Sequence, residues 1–251
     1  GPKTKILEDI SGPVSFSPNG NEMVFVRSSR SGDRSELIIA DSDGRAERIL
    51  VSEKSPNGLA SGTAWSRDGK SIAFSKFAPN ETNDGITGRI LLADISNSSV
   101  KELSSERWST VFRMEWTNDG KGLILVGTRA NEAYSTRRDQ VYFISYPDGV
   151  SRRITSDGNR HEPGSLGVTI NGAILAVTGN RSSQVWSMSS NGDQNTSIQL
   201  TRGLADGRAG LCTLSDGRFG YISRTGEDLS VWLANPDGSG ARELVTPGSP
   251  E

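Results

Sequence analysis

Trp65-Ser-Arg-Asp-Gly69, followed at once by Ser71-Ile-Ala-Phe74, is the stretch that decides the fold of this 251-residue chain. An Asp-Gly pair between two short apolar runs is the strongest short-range hairpin signal, because the tight turn needs positive φ that glycine adopts freely. The same signature returns roughly every 50 residues, a spacing that marks a repeat architecture. Phe16-Ser-Pro-Asn-Gly20 precedes Met23-Val-Phe-Val26, and Trp116-Thr-Asn-Asp-Gly120 precedes Leu123-Ile-Leu-Val126. Two looser copies follow, Val168-Thr-Ile-Asn-Gly172 before Ile174-Leu-Ala-Val177 and Thr213-Leu-Ser-Asp-Gly217 before Phe219-Gly-Tyr-Ile222.

A second hairpin lies inside every copy. Leu37-Ile-Ile-Ala40 runs through Asp43-Gly44 to Glu47-Arg-Ile-Leu50, and Val231-Trp-Leu-Ala234 runs through Pro236-Asp-Gly238 to Arg242-Glu-Leu-Val245. Each unit therefore reads as four short antiparallel strands rich in β-branched and aromatic residues, and no stretch has a helical period. Such a unit cannot bury both of its faces alone, so it packs on its neighbours around an axis. The expected fold is all-β, a β-propeller of four-stranded blades. Blades are expected at about 16–50, 65–103, 116–155, 168–201 and 213–245. Phe16, Trp65 and Trp116 are expected to fill the gaps between blades. Gly1-Pro2 reads as a tag remnant, 3–15 as a lead-in whose Lys5-Ile-Leu7 resembles an outer strand, and 246–251 as a tail. Five repeats plus one orphan strand fit either a five-bladed ring or part of a ring of six or more. The second is favoured, and it leaves blade faces open to self-association.

Composition narrows the function. Formal net charge is −2, which gives no global basic field for nucleic acid. No apolar run reaches the roughly 18 residues of a membrane span. The single cysteine, Cys212, cannot form an internal disulfide and reads as a small buried hydrophobe. One cysteine and one histidine cannot build a Cys/His metal set, and neither a metal nor a cofactor is expected. Serine chemistry would have to use His161, beside Glu162 and Pro163 on what reads as an exposed loop, and no Gly-x-Ser-x-Gly elbow accompanies it. No catalytic residue is assigned.

The Ser-Pro-Asn-Gly, Ser-Arg-Asp-Gly and Asn-Asp-Gly turns, with Asn235-Pro-Asp-Gly-Ser-Gly-Ala-Arg-Glu-Leu244, resemble TolB-like propeller repeats, which are WD40-like units built around a Pro-Asp-Gly turn. Arg107-Trp-Ser-Thr-Val-Phe-Arg-Met-Glu-Trp116, Ile144-Ser-Tyr-Pro-Asp-Gly149 and Gln199-Leu-Thr-Arg-Gly-Leu-Ala-Asp-Gly207 are similar to a narrower group. That group is the extracytoplasmic propellers of membrane-anchored bacterial serine/threonine protein kinases and winged-helix regulators. The resemblance implies a periplasmic sensor or interaction module. Asn19 and Asn171 depart from the usual aspartate, and copies four and five lack the innermost aromatic. A substrate-gating propeller of a prolyl-oligopeptidase-like hydrolase is the alternative.

Strand alternation puts the tight turns on one rim, and the second-to-third-strand loops and blade-to-blade links on the other. Arg27–Glu36, Ser75–Arg89, Ser104–Arg113 and Gly127–Gln140 read as the long connections of that second rim, where function concentrates. Arg107, Trp108, Arg113, Tyr134, Arg138, Arg160, His161 and Arg208 are the candidate binding residues there. Arginine and tryptophan are the types enriched at interface hot spots. The same charges also fit ordinary solvated surface, and Trp108 fits a core position beside Val111 and Trp116 equally well. The expected partner is a protein, peptide or small ligand, with no nucleic acid.

Overall fold

Successive side chains of a strand point to opposite faces, so a strand packed on both sides must be apolar throughout. Phe74 and Ile72 pack with Val24, Leu37 and Trp65 on one side, while Ala73 packs with Leu92, Trp108 and Leu123 on the other. Leu123 and Leu125 face that second cluster, and their neighbours Ile124 and Val126 face a third with Val141 and Leu166. One continuous apolar run thus serves two cores. Each fully buried side chain of this size contributes about 1.5–3 kcal/mol.

The computed structural model describes residues 5–80, 82, 85–132, 139–155, 159–179, 182–190, 196–225 and 228–245, in two compact units that divide after Gly179. The described residues form twenty strands and no α-helix. In the first unit, β1 (Ser15–Phe16), β2 (Glu22–Ser28), β3 (Arg34–Asp41) and β4 (Arg48–Lys54) make one four-stranded antiparallel sheet. The second sheet is β5 (Gly58–Trp65), β6 (Ser71–Pro79), β7 (Ile86–Asp94) and β8 (Val100–Glu102). A single bridge from Gly88 to Trp108 joins it to the third, β9 (Trp108–Trp116), β10 (Gly122–Arg129), β11 (Gln140–Ser145) and β12 (Ser151–Arg153). The paired β13 (Arg160–Val168) and β14 (Ile174–Gly179) complete the unit.

The second unit holds the two-stranded pair β15 (Trp186–Ser187) and β16 (Ile198–Gln199). Its four-stranded sheet is β17 (Leu211–Thr213), β18 (Phe219–Thr225), β19 (Asp228–Ala234) and β20 (Arg242–Val245). The fourth sequence copy is therefore two short ladders, one in each unit. The run around Trp186 is flanked by polar residues on both sides, and its ladder stops after two residue pairs.

Turns tie neighbouring sheets of the first unit together. The Trp65 amide donates to Ser15 Oγ at 3.1 Å, and the Trp116 indole N–H donates to the Ala64 carbonyl at 3.2 Å. Arg67 donates to Asn118 Oδ1 at 3.1 Å, and Asn118 donates to the carbonyls of Thr169 and Ile170 at 2.7 and 2.8 Å. Trp65 and Trp116 are buried as expected, whereas Phe16 is exposed and fills no gap. Cys212 is also exposed, because all three residues of β17 lie outside the core. Lys5–Leu7 form no ladder, having no strand beside them to pair with among the described residues. Nevertheless the Gly44 turn packs on the Ile6 carbonyl, as the Gly149 and Gly238 turns pack on the carbonyls of Leu103 and Leu200.

The turn aspartates carry a pH signature. Asp68 accepts from Ser66 Oγ at 2.6 Å and the Lys70 amide at 3.0 Å, and Asp119 accepts likewise from Thr117 and Lys121. These bonds favour the charged form, led by the hydroxyl, and hold both carboxyls below the ordinary aspartate value of 3.8. A depressed native pKa gives stability that is full above the unfolded value and is lost as pH falls through the native one. The thermal midpoint should therefore fall as pH drops through about 4 towards 2. In an Asp68→Asn, Asp119→Asn variant the acid slope should be shallower with little change at pH 7, since Asn19 already fills this place in the first copy. Scanning calorimetry from pH 2 to 7 checks this, and an unchanged slope would refute it.

Candidate functional site

The expected rim connections at 27–36, 75–89 and 104–113 are built largely from strand ends rather than long loops, and 133–138 of the fourth lie outside the described residues. The β6–β7 ladder runs out to Pro79 opposite Ile86, and β3 pairs with β4 as far as Arg34 opposite Lys54. Backbone pairing needs no apolar side chain, so polar strand ends extend beyond the core. Arg113 and Arg160 consequently lie on strands, and Arg107 immediately precedes one.

These arginines are paired. Arg107 meets Glu102 at 2.6 Å, Arg113 meets Glu115 at 2.7 Å, and Arg160 meets Asp139 at 3.0 Å. Each thus has a carboxylate partner, although Glu102 also meets Arg89 at 3.7 Å. Trp108 is 0% exposed and stands edge-on to Tyr142, with ring centroids 4.9 Å apart. It is a core residue and cannot touch a partner. His161 is 3% exposed on β13, not on a surface loop, because its strand starts at Arg160 and is clamped by a 2.8 Å bond from its amide to the Asp139 carbonyl. Tyr134 and Arg138 lie outside the described residues.

Arg160, His161 and Asp139 do come together. The Asp139 carboxylate, 6% exposed, accepts from Thr110 Oγ1 at 3.0 Å, Thr128 Oγ1 at 3.1 Å and Arg160 Nε at 3.0 Å. Beside it, the Gln140 side chain accepts from Thr155 and Arg153 and donates to the Asn159 carbonyl. This is a buried clamp joining β9, β10, β11 and β13, with its lone pairs spoken for.

A different arrangement surrounds Arg208 in the second unit. A cleft of about 290 Å³ is lined by Ser183, Gln184, Val185 and Trp186 on one side and by Asp206, Gly207, Arg208 and Leu211 on the other. The walls are held by a parallel bridge between Ser183 and Ala205, and the Asp206 amide donates to the Ser183 carbonyl at 2.9 Å. Gly207, at φ +74°, carries the chain close against Val185, where a Cβ would meet Val185 Cγ2 at 2.8 Å. The Asp206 carboxylate is turned inward, accepting from Ser223 Oγ at 2.6 Å and the Gly203 amide at 2.7 Å. Burial, and after it the Asp206 charge, raises the Tyr221 phenol above its ordinary value.

What remains at the cleft surface is chemically mixed. Trp186 is 51% exposed and Leu211 56% exposed, and the Arg208 guanidinium is exposed with no ion pair among the described residues. The Ser183 hydroxyl oxygen is buried without a hydrogen-bond partner. Aromatic, aliphatic and cationic groups thus share one concave surface, whose lining also includes a buried hydroxyl.

No protein-family model matches the chain, and no curated protein sequence matches it. Solved structures do. TolB from Acinetobacter baumannii aligns over 90% of this chain at 19% identity with a TM-score of 0.53. A structure of a nidogen/laminin complex aligns over 94% at 13% identity and 0.52. Hydrazine synthase of Kuenenia stuttgartiensis aligns over 94% at 13% identity and 0.51. The fold is a TolB-like β-propeller. The alignment spans only 51% of that TolB, 79% of the nidogen/laminin chain and 39% of the hydrazine synthase chain.

Of the residues lining this cleft in the TolB-like propeller, Arg208 is among the candidates read from the sequence, and Trp186 and Leu211 are not. Both lie in apolar runs that read as ordinary strand. Nothing in the spacing shows that the stretch before β15 meets the link before β17. The one signal present was position, since 182–184 and 202–210 read from the sequence as parts of a second-to-third-strand loop and a blade-to-blade link. Both connections belong to the rim expected to bind.

Proposed function

We propose that this chain is a non-catalytic recognition propeller whose binding surface is the Trp186–Arg208–Leu211 cleft. The observation that carries the reading is Arg208, without an ion pair among the described residues, beside a half-exposed tryptophan, whereas Arg107, Arg113 and Arg160 are ion-paired. The burial of His161, the only histidine in the sequence, supports a non-catalytic role, since a sealed imidazole cannot serve a surface nucleophile. No helix among the described residues is long and apolar enough to cross a membrane. The likeness of 107–116, 144–149 and 199–207 to kinase and regulator sensor propellers supports an extracytoplasmic sensor attached to a membrane-anchored parent.

Selection of binders from a random peptide library and a glycan array tests the reading. Binders chosen on the wild-type domain should lose at least about tenfold in affinity on Arg208→Glu, the range of a charged hot-spot contact. Trp186→Ala should weaken them comparably, with circular dichroism unchanged in both variants because both side chains are exposed. Binders indifferent to both substitutions would overturn the assignment of this cleft.

A further inference from the structure

The cleft opens onto a free strand edge, and this identifies the kind of ligand it suits. β17 ends the order of its sheet and, among the described residues, pairs on one side only, with β18. The Ile222 amide donates to the Gly210 carbonyl at 3.0 Å, and the Leu214 amide donates to the Arg218 carbonyl at 2.8 Å. Between those hydrogen-bonded pairs the antiparallel ladder alternates. Cys212 therefore exchanges its bonds with Gly220, while the amides and carbonyls of Leu211 and Thr213 point away from β18. Leu211 both begins this free edge and lines the cleft. An extended peptide satisfies such an edge with its own backbone, and a saccharide has no matching row of donors and acceptors.

Charge selects among peptides. Arg208 and, on the same link, Arg202 are both exposed without an ion pair among the described residues. The nearest carboxylate on this link, Asp206, has both oxygens occupied by Ser223 and Gly203. A guanidinium free of carboxylate partners recognises a carboxylate bidentately. Leu211 and Trp186 offer an apolar wall on which a neighbouring side chain packs.

We propose that the cleft binds an acidic peptide in extended form, added to the free edge of β17 with an Asp, Glu or C-terminal carboxylate on Arg208. This rests on the recognition role proposed above and names its ligand class.

Three immobilised probes test it on the whole chain. They are hexapeptides with one fixed Glu and the other positions randomised, the same set with Gln, and oligomers of glucuronic acid. The Glu set should retain the protein about tenfold better than the Gln set, and Arg208→Gln should abolish that difference. N-methylation of alternate residues in the best binder should remove binding, because it deletes the donors of the added strand. Equal retention of the Glu and Gln sets, or tolerance of N-methylation in both registers, overturns the proposal. Retention on glucuronate alone, lost in Arg208→Gln, overturns the peptide but leaves the recognition cleft standing. No Arg208-dependent binding to any probe overturns both.

Discussion

Gly149→Ala should be among the most damaging single-methyl additions available in this chain. Gly149 sits at φ +70° in the Pro-Asp-Gly turn of the third blade, a conformation that costs an L side chain about 1–2 kcal/mol. A Cβ there would also run into the Leu103 carbonyl of the preceding blade, lying 2.9 Å from its carbon and 3.2 Å from Ser104 Cα. Those are backbone atoms, which cannot rotate aside, and overpacking of this kind costs about 1–3 kcal/mol more. The expected total is about 2–5 kcal/mol.

Two further glycines separate the contributions. Gly62 has no positive φ, but its Cβ would strike the Phe112 carbonyl of the neighbouring innermost strand, 2.9 Å from the carbonyl carbon. Gly62→Ala therefore reports the steric part alone, at about 1–3 kcal/mol. Gly120 has φ +67° with open space around it, so Gly120→Ala reports the conformational part, about 1–2 kcal/mol. Urea melts of the three variants should rank Gly149 as costliest. If Gly149→Ala costs no more than Gly120→Ala, the close blade-to-blade approach at Leu103 is wrong.

The same residues show why the fold was legible. Gly20, Gly69, Gly120, Gly172 and Gly217 all adopt positive φ, so the Asn-Gly and Asp-Gly pairs mark turns for a reason that belongs to the backbone. Apolar runs such as Leu123–Val126 are equally informative, because alternate residues must satisfy two cores. Polar segments carry no comparable period. Arg113 and Arg160 read as loop residues although they sit in ladders, since hydrogen bonding along a strand end leaves no mark on side-chain type. His161 and Trp108 were unreadable for the related reason that burial depends on which strand arrives alongside. The cleft was half legible. Arg208 stands on a long link and announces itself by charge, but Trp186 and Leu211 are 25 positions apart and line one cleft because backbone bonds such as the Ser183–Ala205 bridge join their segments.

Removing the Asp139 carboxylate should be as costly as Gly149→Ala, by a different route. Asp139 follows the connection between β10 and β11, and its side chain collects donors from β9, β10 and β13. In Asp139→Ala the Thr128 hydroxyl, 3% exposed, loses its acceptor and stays in the core, a penalty of about 1–3 kcal/mol. The Arg160 guanidinium loses its counter-ion, but its side chain is 36% exposed and can turn towards water, so its loss is smaller than for a sealed pair. Thr110 adds a further broken bond of about 1 kcal/mol. The expected cost is about 2–5 kcal/mol in all. Asp139→Asn keeps one oxygen as acceptor for the two threonines but puts an amide NH2, itself a donor, where Arg160 donates, so Arg160 loses its bond and turns to water, at about 1–2 kcal/mol. A double-mutant cycle with Arg160→Gln isolates the ion pair, and its coupling should be under about 1 kcal/mol. A coupling above 3 kcal/mol would mean that Arg160 is sealed from solvent, while equal costs for Asn and Ala would mean that the threonines do not bond to Asp139. The predicted order, with the hydroxyl bonds outweighing the ion pair, makes this clamp a structural fastening of the β9, β10 and β13 strand ends.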